Sequence, residues 1–170
     1  MRRAAWLALS VLASAWLRAQ VPPDTLCVVF GAVKDFGTGD FIAAPQVEVH
    51  LFNDTSAVPM ARSEMGRYVL YLLREGDYTI TYTAPGYAPK QVRVLLSGPT
   101  PEQWRAGYGL QVDVSLFRQL SGLDLDFGGP VGLCRYVAAE DRFEWDPDHT
   151  RALKPRAEAM AKAYRKRLAE

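Results

Sequence analysis

The chain holds only two histidines, His50 and His149. A peptidase zinc needs two histidines and a Glu as ligands, with a further carboxylate as base. His50 opens the run His50-Leu51-Phe52-Asn53, with no acid at the required spacing. It falls on the polar side of a strand pattern and reads as a solvated residue, while His149 reads as a first-turn helix residue. Asp124, Asp126, Asp146 and Asp148 form two Asp-x-Asp pairs. Hard carboxylate oxygens suit Ca²⁺, but Asp124-Leu125-Asp126-Phe127-Gly128-Gly129 lacks the further acids and closing Glu of a loop site. Turn and capping chemistry accounts for these aspartates instead. Ser, His and Asp are all present, yet no strained nucleophile turn frames a serine. Trp104, Tyr108, Tyr71, Tyr82 and Tyr87 would stack on sugar rings if exposed on one platform; inward-facing anchors are the competing reading. Cys27 and Cys134 both sit in apolar, strand-like contexts and are either bridged or buried as free thiols. No residue is therefore assigned as catalytic, cofactor-binding or metal-binding.

These residues are carried by a chain of short strands. Tyr68, Leu70 and Leu72 alternate with Val69, Tyr71 and Leu73, so both faces of this strand are apolar and it is expected to be central and covered on both sides. Arg74-Glu75-Gly76-Asp77 has the polar and Gly residues of a hairpin loop. Beyond it Tyr78, Ile80 and Tyr82 alternate with three threonines as a half-buried strand. Ala84-Pro85-Gly86 ends that strand. The stretch Gly66–Tyr87 thus reads as a hairpin around which the rest is organised. Upstream, strands are predicted over Thr25–Val33 and Gln46–Phe52, with a polar loop over Asn53–Met60 and a short strand near Ala61–Glu64. Downstream, Lys90–Leu96 and Gly109–Phe117 alternate in the same way. Thr100-Pro101-Glu102-Gln103 predicts a helical turn with Thr as N-cap and Pro at N1, carrying Trp104. About seven strands with turn signals between them describe an all-β sandwich.

The tail differs. Val131–Val137 and Arg142–Trp145 are expected to pair as a small hairpin. From Asp146 the period becomes helical, with Leu153, Ala157, Met160, Tyr164 and Leu168 on one stripe. Asp146 or Thr150 would cap it, and Pro155 predicts a kink or a new start. From Arg151 onward the tail carries seven Lys/Arg and two Glu, a local +5. Such a helix either docks electrostatically on the acidic remainder or meets an acidic partner or headgroup surface.

The 170 residues suit one domain with an appendage. Met1-Arg2-Arg3 followed by the apolar run Ala4–Leu17 and Leu17-Arg18-Ala19-Gln20 reads as a signal peptide over residues 1–19. The run is short for a membrane anchor, and no transmembrane span is expected after cleavage. The whole chain has a formal charge of +1; without the leader, 17 basic residues face 19 acidic ones, a net of −2. That balance, and a basic helix without interleaved exposed aromatics, exclude nucleic acid as the expected partner.

Gly31-Ala32-Val33, Thr38-Gly39, Ala44-Pro45-Gln46-Val47-Glu48-Val49, Ser63-Glu64-Met65-Gly66-Arg67-Tyr68-Val69-Leu70, Glu75-Gly76-Asp77-Tyr78-Thr79-Ile80 and Pro85-Gly86-Tyr87 together resemble the carboxypeptidase regulatory-like domain. The match covers about residues 27–96. The departures are Asp40-Phe41-Ile42, where a Pro is usual, and Ser63-Glu64, where Thr-Asp is typical. The resemblance implies a mainly β, seven-stranded, transthyretin-like (Greek-key) sandwich, here with a C-terminal α-helix. The implied divisions are a signal peptide at 1–19, the sandwich at 20–118, and an extension at 119–170 made of the small hairpin and the basic helix. Pro101…Trp104…Gly107-Tyr108 and Trp145-Asp146…Asp148-His149-Thr150 resemble an extended version of the domain found in exported proteins of Bacteroidetes-type bacteria. That domain is the accessory, non-catalytic part of the carboxypeptidases. Transthyretin-fold hydrolases of purine breakdown end in Tyr-Arg-Gly-Ser, of which Tyr164-Arg165-Lys166-Arg167 keeps only the first two. The resemblance therefore implies no enzyme and no cofactor. It implies an exported module for protein–protein interaction or structural support in the cell envelope, whether periplasmic, outer-membrane-associated or secreted. The expected partner is an envelope protein. A carbohydrate-binding module with a starch-binding-like fold, taking polysaccharide, is the alternative.

Overall fold

A computed structural model describes residues 26–170 apart from 44, 52–56, 59–61 and 74, and omits the side chains of 49–51, 57–58 and 62–64. The leader, most of the Asn53–Met60 loop and the side chain of His50 lie outside the described residues.

The described chain is two β-sheets with a short helix and a long C-terminal helix. The first sheet has the order β4-β5-β1-β8, with β9 also paired to β1. Its strands are β1 (Cys27–Asp35), β4 (Arg62–Glu64), β5 (Arg67–Leu72), β8 (Tyr108–Gln111) and β9 (Val114–Leu116). The second sheet runs β11-β10-β7-β6-β2-β3. It contains β2 (Gln46–Leu51), β3 (Ala57–Val58), β6 (Gly76–Thr83), β7 (Lys90–Leu96), β10 (Gly132–Val137) and β11 (Arg142–Trp145). The described residues thus form eleven strands, not seven. Two of the extra strands arise where one predicted run is broken and where β3 occupies part of the expected polar loop. Two more come from the tail hairpin: β10 and β11 pair as expected, and β10 also pairs in parallel with β7, so it extends the second sheet.

The stretch Gly66–Tyr87 is not a hairpin. β5 pairs with β1 and β4, whereas β6 pairs with β2 and β7. The chain therefore passes from the first sheet to the second between β5 and β6. Turn-forming residues permit a reversal but do not state whether it stays within a sheet; the apolar rows decide that. Tyr68, Leu70 and Leu72 are buried on β5, and Tyr78, Ile80 and Tyr82 on β6. Placed in opposite sheets, these rows face each other across the core. The hydroxyls of Tyr68 and Tyr82 meet there at 2.7 Å, and that of Tyr68 also donates to Val112 O at 2.7 Å. The expectation that β5 is covered on both faces also fails: Val69 and Tyr71, on its outer side, are only half-buried.

The predicted strand Gly109–Phe117 is interrupted at Val112–Asp113, between β8 and β9, which both run parallel to β1. The break brings Val112 O against Gly31, where an added Cβ would lie 2.0 Å from it. The amide of Ala32 donates to Asp113 Oδ1 at 2.9 Å, and that of Val112 to Phe30 O at 2.9 Å. Gly31 is thus required by close backbone approach.

Helix α1 (Pro101–Ala106) has Thr100 as N-cap, in a reciprocal capping box with Gln103, and Pro at its start. Helix α2 (Pro147–Leu168) is capped by Asp146, and Thr150 lies inside it. Pro155 neither begins nor ends the helix. It sits on the exposed face, where the carbonyl it leaves unbonded can be hydrated. On the stripe read from the sequence Met160 and Tyr164 are buried and Leu168 is exposed. The buried pair belongs to a second, smaller core with Ala88, Phe117, Leu125 and Phe127. This core closes the end of the sandwich where β1 and β9 finish and β7 begins. No helix among the described residues is long and apolar enough to cross a membrane.

Candidate functional site

The residues singled out for their chemistry are dispersed. His149 stands in the first turn of α2, with a ring nitrogen 2.9 Å from Pro130 O. Asp124 accepts from the amide of Asp126, and Asp126 from that of Gly128. Asp146 accepts from the amides of Asp148 and His149 and pairs with Arg135 at 3.1 Å. Asp148 holds Arg151 at 2.7 Å. The first pair therefore shapes a turn and the second caps a helix. Among the described residues no three His, Cys, Asp or Glu side chains converge as a metal ion requires. Cys27 and Cys134 are free thiols, each 0% exposed. Burial pushes both up to about 12, with the charge of Cys134 a lesser cause for Cys27 and that of Glu144 for Cys134.

The five proposed stacking aromatics do not form a platform. Trp104 and Tyr82 are buried. Trp104 Nε1 donates to Glu75 at 2.8 Å, and its ring joins Tyr108, Tyr136 and Phe143 in one cluster at the α1 end. Asp141, at φ 47° in the β10–β11 turn, accepts from the hydroxyls of Tyr108 and Tyr136. Tyr87 donates to Asp35. Every hydroxyl in that set is used in holding the fold, apart from Tyr71 on the outer face.

A buried carboxylate was missed in the sequence. Asp35, 3% exposed, ends β1. Its Oδ1 accepts from the amides of Gly37 (2.7 Å) and Thr38 (3.1 Å). Its Oδ2 accepts from Tyr87 (2.8 Å) and Arg118 Nε (2.6 Å). Burial alone would raise its pKa; the bonds from Arg118, Tyr87, Thr38 and Gly37 outweigh that and hold it at about 2. The amide of Arg118 in turn donates to Tyr164 of α2 at 3.2 Å. Asp35 therefore ties together the ends of β1 and β9, the turn after β6, and the long helix.

Among the described residues, two open surfaces bear on partner or ligand binding. The first is the outer face of the β4-β5-β1-β8 sheet. Val28, Phe30, Val69 and Tyr71 point outward there. Phe41 lies beside them, bridged to Lys34. Phe30 is 41% and Phe41 48% exposed, and Lys34 and Arg67 lie over the Phe41 ring at 5.3 and 5.5 Å. The corresponding face of the other sheet is polar, with Thr79, Thr81 and Gln91 and a two-bond pair between Arg93 and Asp77. The sheet edges offer little: β4, β8, β3 and β11 have 3, 4, 2 and 4 residues. Edges that short are poor templates for an added strand. The second surface is a cleft of about 250 Å³ where the two sheets part, between residues 111–115 on one side and β7, β10 and Trp145 on the other.

No family model matches the chain, and no curated protein matches it. Several solved structures are similar in part. One is a Bacteroides uniformis protein provisionally described as carbohydrate-binding, at 13% identity and TM-score 0.39 over 56% of this chain and 42% of that one. Another is catechol 1,2-dioxygenase from Acinetobacter sp. ADP1, at 13% identity and TM-score 0.39 over 64% and 57%. A third, from Bacteroides fragilis, is provisionally described as membrane-associated and of unknown function, at 17% identity and TM-score 0.38 over 60% and 31%. The chain thus spans less than two thirds of each of these proteins.

Proposed function

We propose that the chain is an exported, non-catalytic β-sandwich module that binds a protein partner in the cell envelope through the outer face of its first sheet. The observation that carries this reading is the contrast between the two sheets. One presents Phe30 and Phe41 to solvent inside a rim of Lys34 and Arg67; the other presents threonines and a paired Arg93. Contiguous exposed apolar surface rimmed by polar groups marks interaction sites, and aromatics with Arg are the residues most enriched at their centres. The cationic rim favours a partner with acidic residues around an apolar centre. The resemblance to the carboxypeptidase regulatory-like domain supports the same role, because that domain is an accessory without chemistry of its own. On this reading residues 1–19 are removed on export, residues 20–118 supply the binding sandwich, and the extension at 119–170 braces it through the β10–β7 pairing and the Tyr164–Arg118 contact.

The test is site-specific photocrosslinking in source cells from positions 30 and 41, with position 81 on the polar face as control. A discrete protein adduct from 30 and 41, absent from 81, is expected. Equal labelling from all three, or none, would count against the outer face.

A further inference from the structure

The cleft between the sheets is lined by groups that differ in kind from one end to the other. At one end Lys90, the first residue of β7, donates from Nζ to Ser115 O, and both residues line the cleft. The ammonium also lies 4.5 Å from the centroid of Phe117 and 5.1 Å from that of Phe127. No carboxylate pairs with it among the described residues. Its burial lowers its pKa to about 8, so it keeps its proton at neutral pH without an anion to match it. An ammonium has three donors; Ser115 O takes one, and the two rings are cation–π contacts rather than hydrogen-bond acceptors, so two N–H groups have no acceptor atom among the described residues.

At the other end stand Gln111 and Asp113. Asp113 is fixed by the amide of Ala32 and by Gln111 Nε2, at 2.9 and 3.0 Å. Each carboxylate oxygen keeps lone pairs for a hydroxyl donor. Between the ends is Trp145, 37% exposed. It is the cross-strand partner of Cys134, which is fully buried, so its indole points to the inner side of the sheet. There it rests on Gly132, where an added Cβ would lie 2.8 Å from the six-membered ring. Gly132 makes the space in which the indole lies. Thr150, in the first turn of α2, completes the rim, its hydroxyl donating to Asp146 O at 2.9 Å.

From this arrangement we infer that the cleft binds a single six-membered sugar ring carrying a carboxylate, a hexuronate, with its acid group on Lys90, its hydroxyls on Asp113 and Gln111, and its apolar ring face on Trp145. The volume suits one ring, since sites for larger, drug-sized ligands begin at roughly 300 Å³. A neutral hexose would fill the same space and leave the ammonium unmatched. A simple carboxylate would satisfy Lys90 and use neither the indole nor Asp113. Gln111 and Asp113 border both this cleft and the outer face around Phe30 and Phe41, whereas Lys90, Gly132 and Trp145 line the cleft alone. Substitutions at Lys90, Gly132 or Trp145 leave that face unchanged, so the two readings fail independently.

The experiment is NMR titration of the ¹⁵N-labelled mature chain with sodium glucuronate, glucose and sodium acetate, following the Trp145 indole N–H, assigned with Trp145→Phe, and the backbone amides. Glucuronate is expected to give saturable shifts at Trp145, at Gln111–Ser115 and at Val131–Gly132, with half-saturation at least tenfold below that of glucose. Acetate is expected to move Ser115 without saturating Trp145. Lys90→Gln should bring glucuronate to the level of glucose. Gly132→Ala, which displaces the indole, should weaken both sugars at least tenfold. Absence of saturable shifts up to tens of millimolar would overturn the proposal, as would equal effects of acetate or glucuronate preference that survives Lys90→Gln. Should Lys90→Gln not fold, the wild-type map decides alone: shifts elsewhere on the surface, or none, refute the site.

Discussion

Replacing Asp35 with Asn tests the physical account of how the long helix is tied to the sandwich. The carboxylate is nearly inaccessible and accepts four hydrogen bonds, from Gly37, Thr38, Tyr87 and Arg118. Asn would keep one oxygen for the amides of Gly37 and Thr38. It would turn an NH₂ toward the Tyr87 hydroxyl and the Arg118 guanidinium, which are both donors. The distance from the ordinary value of 3.8 to about 2 corresponds to roughly 2.5 kcal/mol of stability at neutral pH. The Arg118 side chain is 56% exposed, so solvent screening reduces its share, and the expected loss is about 1.5–2 kcal/mol. The sign with pH follows from the direction. A carboxyl whose folded pKa is depressed stabilises fully above its unfolded value and loses that contribution as pH falls through its folded value. The gap between wild type and Asp35→Asn, measured by urea unfolding, should be constant from pH 7 to about 5 and narrow between about 4 and 2. A gap below about 0.5 kcal/mol at pH 7, or one of the same size at pH 7 and pH 2, would refute the reasoning.

Three further outcomes follow from the packing. Gly31→Ala places a Cβ 2.0 Å from Val112 O, a backbone atom that cannot rotate away, and should cost about 3 kcal/mol or more by thermal or urea unfolding. Cys27 and Cys134, buried and with pKa values pushed up to about 12, should resist a disulfide-exchange reagent at pH 8 until denaturant is added. Rapid labelling of the folded chain would contradict their burial. Tyr68→Phe removes the donor to Val112 O and the partner of the Tyr82 hydroxyl in the core, and should lose about 1–3 kcal/mol in the same unfolding assay.

Local features were legible in the sequence. The alternation Tyr78-Ile80-Tyr82 found β6, Thr100 followed by Pro101 found α1, and Asp146, one of two candidate caps beside Thr150, found the start of α2, because each signal lies within a few residues of what it specifies. What was misread depends on distant partners. The connection between β5 and β6 has the composition of a hairpin turn, and only β1, β2 and β7 determine which sheet each strand joins. Gly109–Phe117 keeps perfect alternation through a break imposed by Gly31 and Tyr68. Asp35 is unremarkable until Arg118, 83 residues later, reaches it. The same holds for the cleft, where Lys90 and Trp145 meet only because β10 runs parallel to β7 and carries β11 with it.

The central claim is that the outer face of the first sheet, around Phe30 and Phe41, is what the module presents to a protein. The most direct measurement compares the position-30 and position-41 photocrosslinked species with and without Lys34→Glu and Arg67→Glu in the same chain. One discrete protein adduct is expected from both positions, lost when the cationic rim is reversed while the fold is unchanged by circular dichroism. An adduct of equal yield after charge reversal, or adducts no different from those formed at Thr81, would contradict it.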